Sequence, residues 1–160
     1  MVGVHLICVG KLKEKFYLQA CQEYMKRLTT LCKLTITELP EVRLPDDPSP
    51  AQVQDALERE GEAILPRIPK GARVVALCVE GALLSSEALS QQMENWTSQG
   101  ISNLAFVIGG SFGLHSMVKA AAALRLSLSP MTFPHHLARV LVLEQIYRGF
   151  QISRGTRYHK

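Results

Sequence analysis

Three stretches in the last third of this 160-residue chain carry the groups from which chemistry could be built. An apolar run ends in Gly109-Gly110-Ser111-Phe112-Gly113, and glycine lets a ligand approach a backbone closely because it has no Cβ. A second run, from Leu124, enters Leu128-Ser129-Pro130-Met131-Thr132-Phe133-Pro134, where two prolines fix the backbone and remove N–H donors. Paired loops at the carboxyl ends of strands are where open α/β sheets bind ligands. A tail, Arg154-Gly155-Thr156-Arg157-Tyr158-His159-Lys160, follows the next helical segment. Its arginines interleave with Tyr147, Phe150 and Tyr158, and aromatic and guanidinium planes together stack on exposed RNA bases. A small-ligand pocket beside a polymer-binding surface is the chemistry these residues suggest.

The glycine loop is G-G-x-x-G, so its first two glycines are spaced wrongly for the dinucleotide fingerprint. The strand after it ends Ser127-Leu128-Ser129-Pro130, without the carboxylate that would hold ribose hydroxyls. This counts against a nicotinamide enzyme and against the common Rossmann-type methyltransferases. No G-K-[ST] follows the glycines, which excludes a P-loop. His135 and His136 are adjacent, so on a helix they point about 100° apart and cannot face one metal ion. No metal site is expected. Neither a G-x-S-x-G elbow nor a Cys beside a His supports nucleophilic catalysis.

The net charge of +4 is unevenly placed. Residues 139–160 hold five basic residues against Glu144 alone, while the remainder has thirteen of each sign. The whole excess lies in the last helix and tail and points to an acidic partner, nucleic acid first. Cys8, Cys21, Cys32 and Cys78 form no CxxC pair and read as buried free thiols in a reducing compartment, which favours the cytoplasm. Val2–Val9 is apolar but too short to span a membrane, and no membrane segment or signal peptide is expected.

These loops need elements to position them. Apolar spacing predicts strands at Val4–Val9, Leu34–Leu39, Arg73–Val79, Leu104–Ile108 and Leu124–Ser129. Helices are expected over Phe16–Leu31, Ala51–Leu65, from Ser85 or Ser86 to about Ser98, His115–Ala123 and about His135–Phe150. Glu80-Gly81 reads as a turn and Pro40–Pro50 as a loop. The alternation argues for a mostly parallel sheet with helices on both faces, in one domain spanning 1–160 with a functional tail at 154–160.

Taken together, Gly10-Lys-Leu-Lys-Glu-Lys-Phe16, Tyr24-Met-Lys-Arg-Leu28, Phe106-Val-Ile-Gly-Gly-Ser-Phe-Gly-Leu114, Met131-Thr-Phe-Pro-His135, Arg139-Val-Leu-Val-Leu-Glu-Gln-Ile-Tyr-Arg148 and Tyr158-His-Lys160 closely resemble the RlmH family. These are SPOUT-class methyltransferases of the large ribosomal subunit, and the likeness runs along the whole chain in order. It implies a parallel α/β sheet whose C-terminal part is threaded as a trefoil knot, a feature that general folding rules make very rare. It implies methyl transfer from S-adenosylmethionine to N3 of a pseudouridine in 23S rRNA of the assembled ribosome, by a homodimer. The cofactor residues it implies are Leu77, Gly109, Leu128, Ser129, Pro130, Met131, Thr132 and Phe133. Arg148, Tyr158 and His159 match positions tied to RNA binding and catalysis, with Arg154 a plausible addition.

Pseudouridine N3 is a weakly acidic imide that becomes nucleophilic once its proton leaves. His159 or Tyr158 is expected to remove or relay that proton, with Arg148 and Arg154 favouring the anion and gripping phosphate. Two other readings stay open at this level: a non-catalytic RNA- or ribosome-binding module, and a SPOUT enzyme acting on tRNA.

Overall fold

Apolar alternation builds five strands: β1 (Gly3–Val9), β2 (Lys33–Leu39), β3 (Arg73–Leu83), β4 (Asn103–Ile108) and β5 (Leu124–Ser127). Between and after them run α1 (Lys15–Leu28), α2 (Pro50–Ile64), α3 (Ser86–Ser98), α4 (Ser116–Ala120) and α5 (His135–Ser153), with a 3-10 turn at Leu65–Arg67. The computed structural model describes residues 1–160 and joins the strands into one sheet, ordered β2-β1-β4-β3-β5, with every pairing parallel.

Successive strand residues point to opposite faces. Val4, Leu6, Cys8, Leu104 and Phe106 pack under α1, α3 and α5 through Cys21, Leu28, Leu89, Met93, Leu143 and Ile146. Ile7, Val9, Val74, Ala76 and Val107 face the other side, which α2 and α4 cover with Ile64 and Val118. Helices therefore lie on both faces, as the βα alternation predicts.

Local chemistry sets the boundaries. Ser49 and Gln52 form a capping box with Pro50 in the first turn of α2, and Ser85 Oγ accepts from Ala88 N to cap α3. His115 accepts from Met117 N and so caps α4 rather than joining it. The chain then leaves the helix early because Ala123 N bonds to Val74 O. β5 stops at Ser127 because Ser127 Oγ donates to Ser129 O and Ser129 Oγ accepts from Met131 N, replacing ladder bonds. α5 runs past Phe150 to Ser153, whose hydroxyl bonds Ser90, and Gly155 at φ +67° ends it.

Glu80-Gly81 is not a turn. β3 continues to Leu83 with a bulge, so that Leu126 of β5 aligns first with Leu77 and then with Ala82. A Cβ at Gly81 would lie 2.8 Å from the backbone of Arg125 and Leu126, so only glycine lets the two segments pass this closely.

Candidate functional site

The carboxyl ends of β3, β4 and β5 enclose a cavity of about 360 Å³. This lies within the usual range for small-molecule sites. Leu77, Ile108, Leu126, Leu128 and Phe133 supply apolar walls, and the 109–113 loop supplies exposed backbone. Of the cofactor residues expected from sequence, Leu77, Gly109, Leu128, Ser129, Met131, Thr132 and Phe133 all line it. Pro130 does not; it is exposed at the turn of the loop.

The glycine loop is held from several directions. Gly113, at φ +83°, closes a tight turn by donating to Gly110 O. A Cβ at Gly109 would collide with the Gly113 backbone, and one at Gly110 would reach within 2.7 Å of the Glu41 carboxylate. Glu41 Oε1 accepts from Ser111 N at 2.9 Å, although the two residues are 70 apart in sequence. Beside it, the buried Glu60 accepts from Val42 N, and burial raises its carboxyl above the usual range. The loop between β2 and α2 is thus fastened to α2 and in turn fastens the glycine turn.

Other side chains complete the cavity. Lys119 pairs with Glu80 at the lip, and that hydrogen bond holds Glu80 below the ordinary carboxylate range. Burial pushes the Cys78 thiol up, which disfavours the nucleophilic thiolate. His135 lines the cavity; burial lowers its pKa, and its Nδ1 is enclosed without a partner. Behind it, buried Arg139 donates to Glu38 and to Gly10 O, tying the start of α5 to the ends of β1 and β2.

Arg148, Tyr158 and His159 come together on α5 and α3, outside the cavity lining. Tyr158 donates to Glu144 Oε2 at 2.8 Å, and Arg148 Nε donates to Glu144 Oε1 at 2.8 Å. The Arg148 guanidinium lies 4.7 Å from the Tyr158 ring centre, and Tyr147 meets that ring edge-on at 4.8 Å. His159 joins Arg148 through Nδ1 and Glu87 through Nε2. Burial and then Glu144 raise the Tyr158 phenol; the same two causes push Tyr24 up to about 12. Arg154 stands apart, exposed after α5 and without a side-chain hydrogen bond or ion pair. A second hollow of about 440 Å³ shares Leu126, Ser127, Leu128 and Phe133 with the cavity and reaches Gln145 on α5.

Sequence reasoning gave no functional role to Glu41, Glu60, Glu80 or Glu87. Glu144 appears there only as the sole acid among the basic residues of 139–160 and within the Arg139–Arg148 segment, with no role given to it.

Residues 2–159 match the family model described as "Predicted SPOUT methyltransferase". The chain is a member of the SPOUT methyltransferase family. A curated relative, "Ribosomal RNA large subunit methyltransferase H" of Alkaliphilus oremlandii, is 46% identical over 159 residues, covering 99% of this chain and all of the relative. Two solved structures share the fold. A methylase family protein from Haemophilus influenzae superposes with a TM-score of 0.58 at 11% identity, over 98% of this chain and 70% of its own. A methylase family protein from Neisseria gonorrhoeae gives 0.54 at 17%, over 90% and 81%. The family match agrees with the likeness legible in the motifs. No helix of this SPOUT chain is long and apolar enough to cross a membrane, and no group of three His, Cys, Asp or Glu is placed to hold a metal ion.

Proposed function

We propose that this chain transfers a methyl group from S-adenosylmethionine to N3 of a pseudouridine in 23S rRNA of the assembled ribosome. The observation that carries the proposal is the convergence of both loops on one cavity, in a chain 46% identical to a relative named for ribosomal RNA methylation. The cavity suits the cofactor. Leu77, Leu128 and Phe133 offer apolar walls for adenine, and backbone at Gly109 and Ser129–Thr132 offers partners for its edges and the ribose. Lys119 and Glu80 present both charges at the lip, complementing a zwitterionic methionine end.

When bound, the cofactor supplies an electrophilic methyl group on a sulfonium. The N3 proton passes to a base of the tail, the N3 electron pair forms the new N–C bond, and the C–S pair returns to sulfur. Arg148 and Arg154 favour the imide anion and grip phosphate. Tyr158 already commits its hydroxyl to Glu144 and is raised in pKa, which favours His159 as the base.

Exposed Val79, Leu83, Phe112 and Met131 surround this end of the sheet, and such a patch supports a homodimer closing over the site. Membership of the SPOUT family supports a knotted C-terminal part. A ribosomal substrate supports a cytoplasmic location. The test is incubation with labelled S-adenosylmethionine and ribosomes lacking the modification, followed by mapping of the methyl. Label on the large-subunit pseudouridine, lost when uridine replaces it, supports the proposal. Label on tRNA alone, or cofactor binding with no RNA labelled, overturns it in favour of another substrate or a binding module.

A further inference from the structure

His159 sits between two groups of fixed hydrogen-bonding character. Arg148 Nη1 lies 3.1 Å from its Nδ1, and a guanidinium only donates. Nδ1 is therefore the acceptor. The hydrogen of the neutral ring resides on Nε2, which lies 2.5 Å from Glu87 Oε1, a carboxylate that only accepts. The two contacts agree on one tautomer.

We infer that Glu87 is a positioning residue for methyl transfer, holding His159 as its Nε2–H tautomer so that the Nδ1 lone pair serves as the base. The inference rests on the proposed reaction with His159 as the proton acceptor and, because His159 lies outside the cavity lining of its own chain, on the proposed homodimer bringing the tail to a cavity. A carboxylate behind an imidazole fixes its orientation and stabilises the imidazolium that forms when the other nitrogen takes a proton. Here the proton leaves pseudouridine N3 for His159 Nδ1, the freed N3 pair bonds the methyl carbon, and the C–S pair stays on sulfur. The imidazolium then donates through Nε2 to Glu87 and releases its proton to water. The hydrogen bond from His159 already holds the Glu87 carboxyl below its usual range.

Nδ1 can be vacated at modest cost. Arg148 keeps Glu144 at 2.8 Å through Nε and at 2.7 Å through Nη2, and it retains the Tyr158 ring, so its position does not depend on His159. An entering imide replaces only the Arg148–Nδ1 contact. Glu87 is also the acidic residue in the first turn of α3, but Ser85 caps that helix and the Glu87 side chain is 60% exposed. A role in stability alone does not account for its aim at His159.

Single-turnover methylation of ribosomes by Glu87→Ala, His159→Ala and the double variant tests this, with proton–nitrogen NMR of histidine-labelled protein beside it. His159→Ala should lose about 100-fold in rate and Glu87→Ala about tenfold, without change in the KM for S-adenosylmethionine. The double variant should be no slower than His159→Ala, and Glu87→Asp should recover part of the rate. A protected downfield proton coupled to His159 Nε2 should appear in wild type and vanish in Glu87→Ala. Full rate in Glu87→Ala, additive losses in the double variant, or a wild-type proton on Nδ1 would each overturn the inference. Failure of wild type to methylate any RNA would instead sink the functional proposal, and the NMR result would still report the Glu87–His159 pair.

Discussion

Arg139 on α5 meets Glu38 at the end of β2 across 2.5 Å, although 101 residues separate them in sequence. The pair is unequal: the Arg139 side chain is 3% exposed and that of Glu38 35%. Removing either partner should therefore cost different amounts. Glu38→Ala strands a buried guanidinium, whereas Arg139→Met leaves a carboxylate that can turn to water. We expect Glu38→Ala to lose about 3 kcal/mol and Arg139→Met less, read from urea midpoints. Equal losses would show that the burial asymmetry does not set the cost.

The same pair predicts acid sensitivity. Burial alone would raise the Glu38 carboxyl, but the hydrogen bonds from Arg139 and Leu12 N outweigh it and leave the value below the ordinary 4.5. A carboxylate depressed on folding adds stability above its unfolded pKa and loses it as pH falls through the folded value. The urea midpoint should therefore hold near neutrality and decline below about pH 4.5, where the unfolded carboxylate begins to take up protons. Glu38→Gln should be less stable at neutral pH and show a shallower decline.

Two substitutions should separate loop shape from loop support. Gly109→Ala drives a methyl into the Gly113 backbone and should weaken S-adenosylmethionine binding about tenfold or more. Glu41→Ala removes the acceptor for Ser111 N but leaves the turn itself closed by Gly113 N and Gly110 O, so it should cost only a few-fold. Isothermal titration compares them directly, and a larger loss for Glu41→Ala would reverse the assignment.

Deleting residues 154–160 should uncouple binding from transfer. None of these residues lines the cavity, and the side chains of Tyr158 and His159 rest on α5 and α3 from outside. The truncated chain should keep its cofactor affinity and unfold within about 1 kcal/mol of wild type, yet methylate no ribosomes. Loss of cofactor binding on truncation would show that the tail shapes the pocket.

The strands, the helix order and both loops that line the cavity were legible because each is written in local terms: apolar period, caps, glycine and proline. Strand order was not, since an apolar run announces a buried strand without naming its neighbour. Glu80-Gly81 reads as a turn for the same reason; only the passing backbone of Arg125 and Leu126 explains why the glycine lies inside a bulged strand. The carboxylates of Glu41, Glu87 and Glu144 look like ordinary surface charge in sequence. Their roles come from the groups they face, and those groups are brought to them by the fold.

β3 is an interior strand only because β5, made much later, lies along its outer side. During synthesis, that side of β3 waits with its peptide groups unpaired, the condition under which chains find one another and aggregate. A chain ending before Leu124 lacks both the covering strand and one wall of the cavity. Interrupted translation should therefore yield molecules that are at once inert and adhesive, so cells making this protein depend on finishing it.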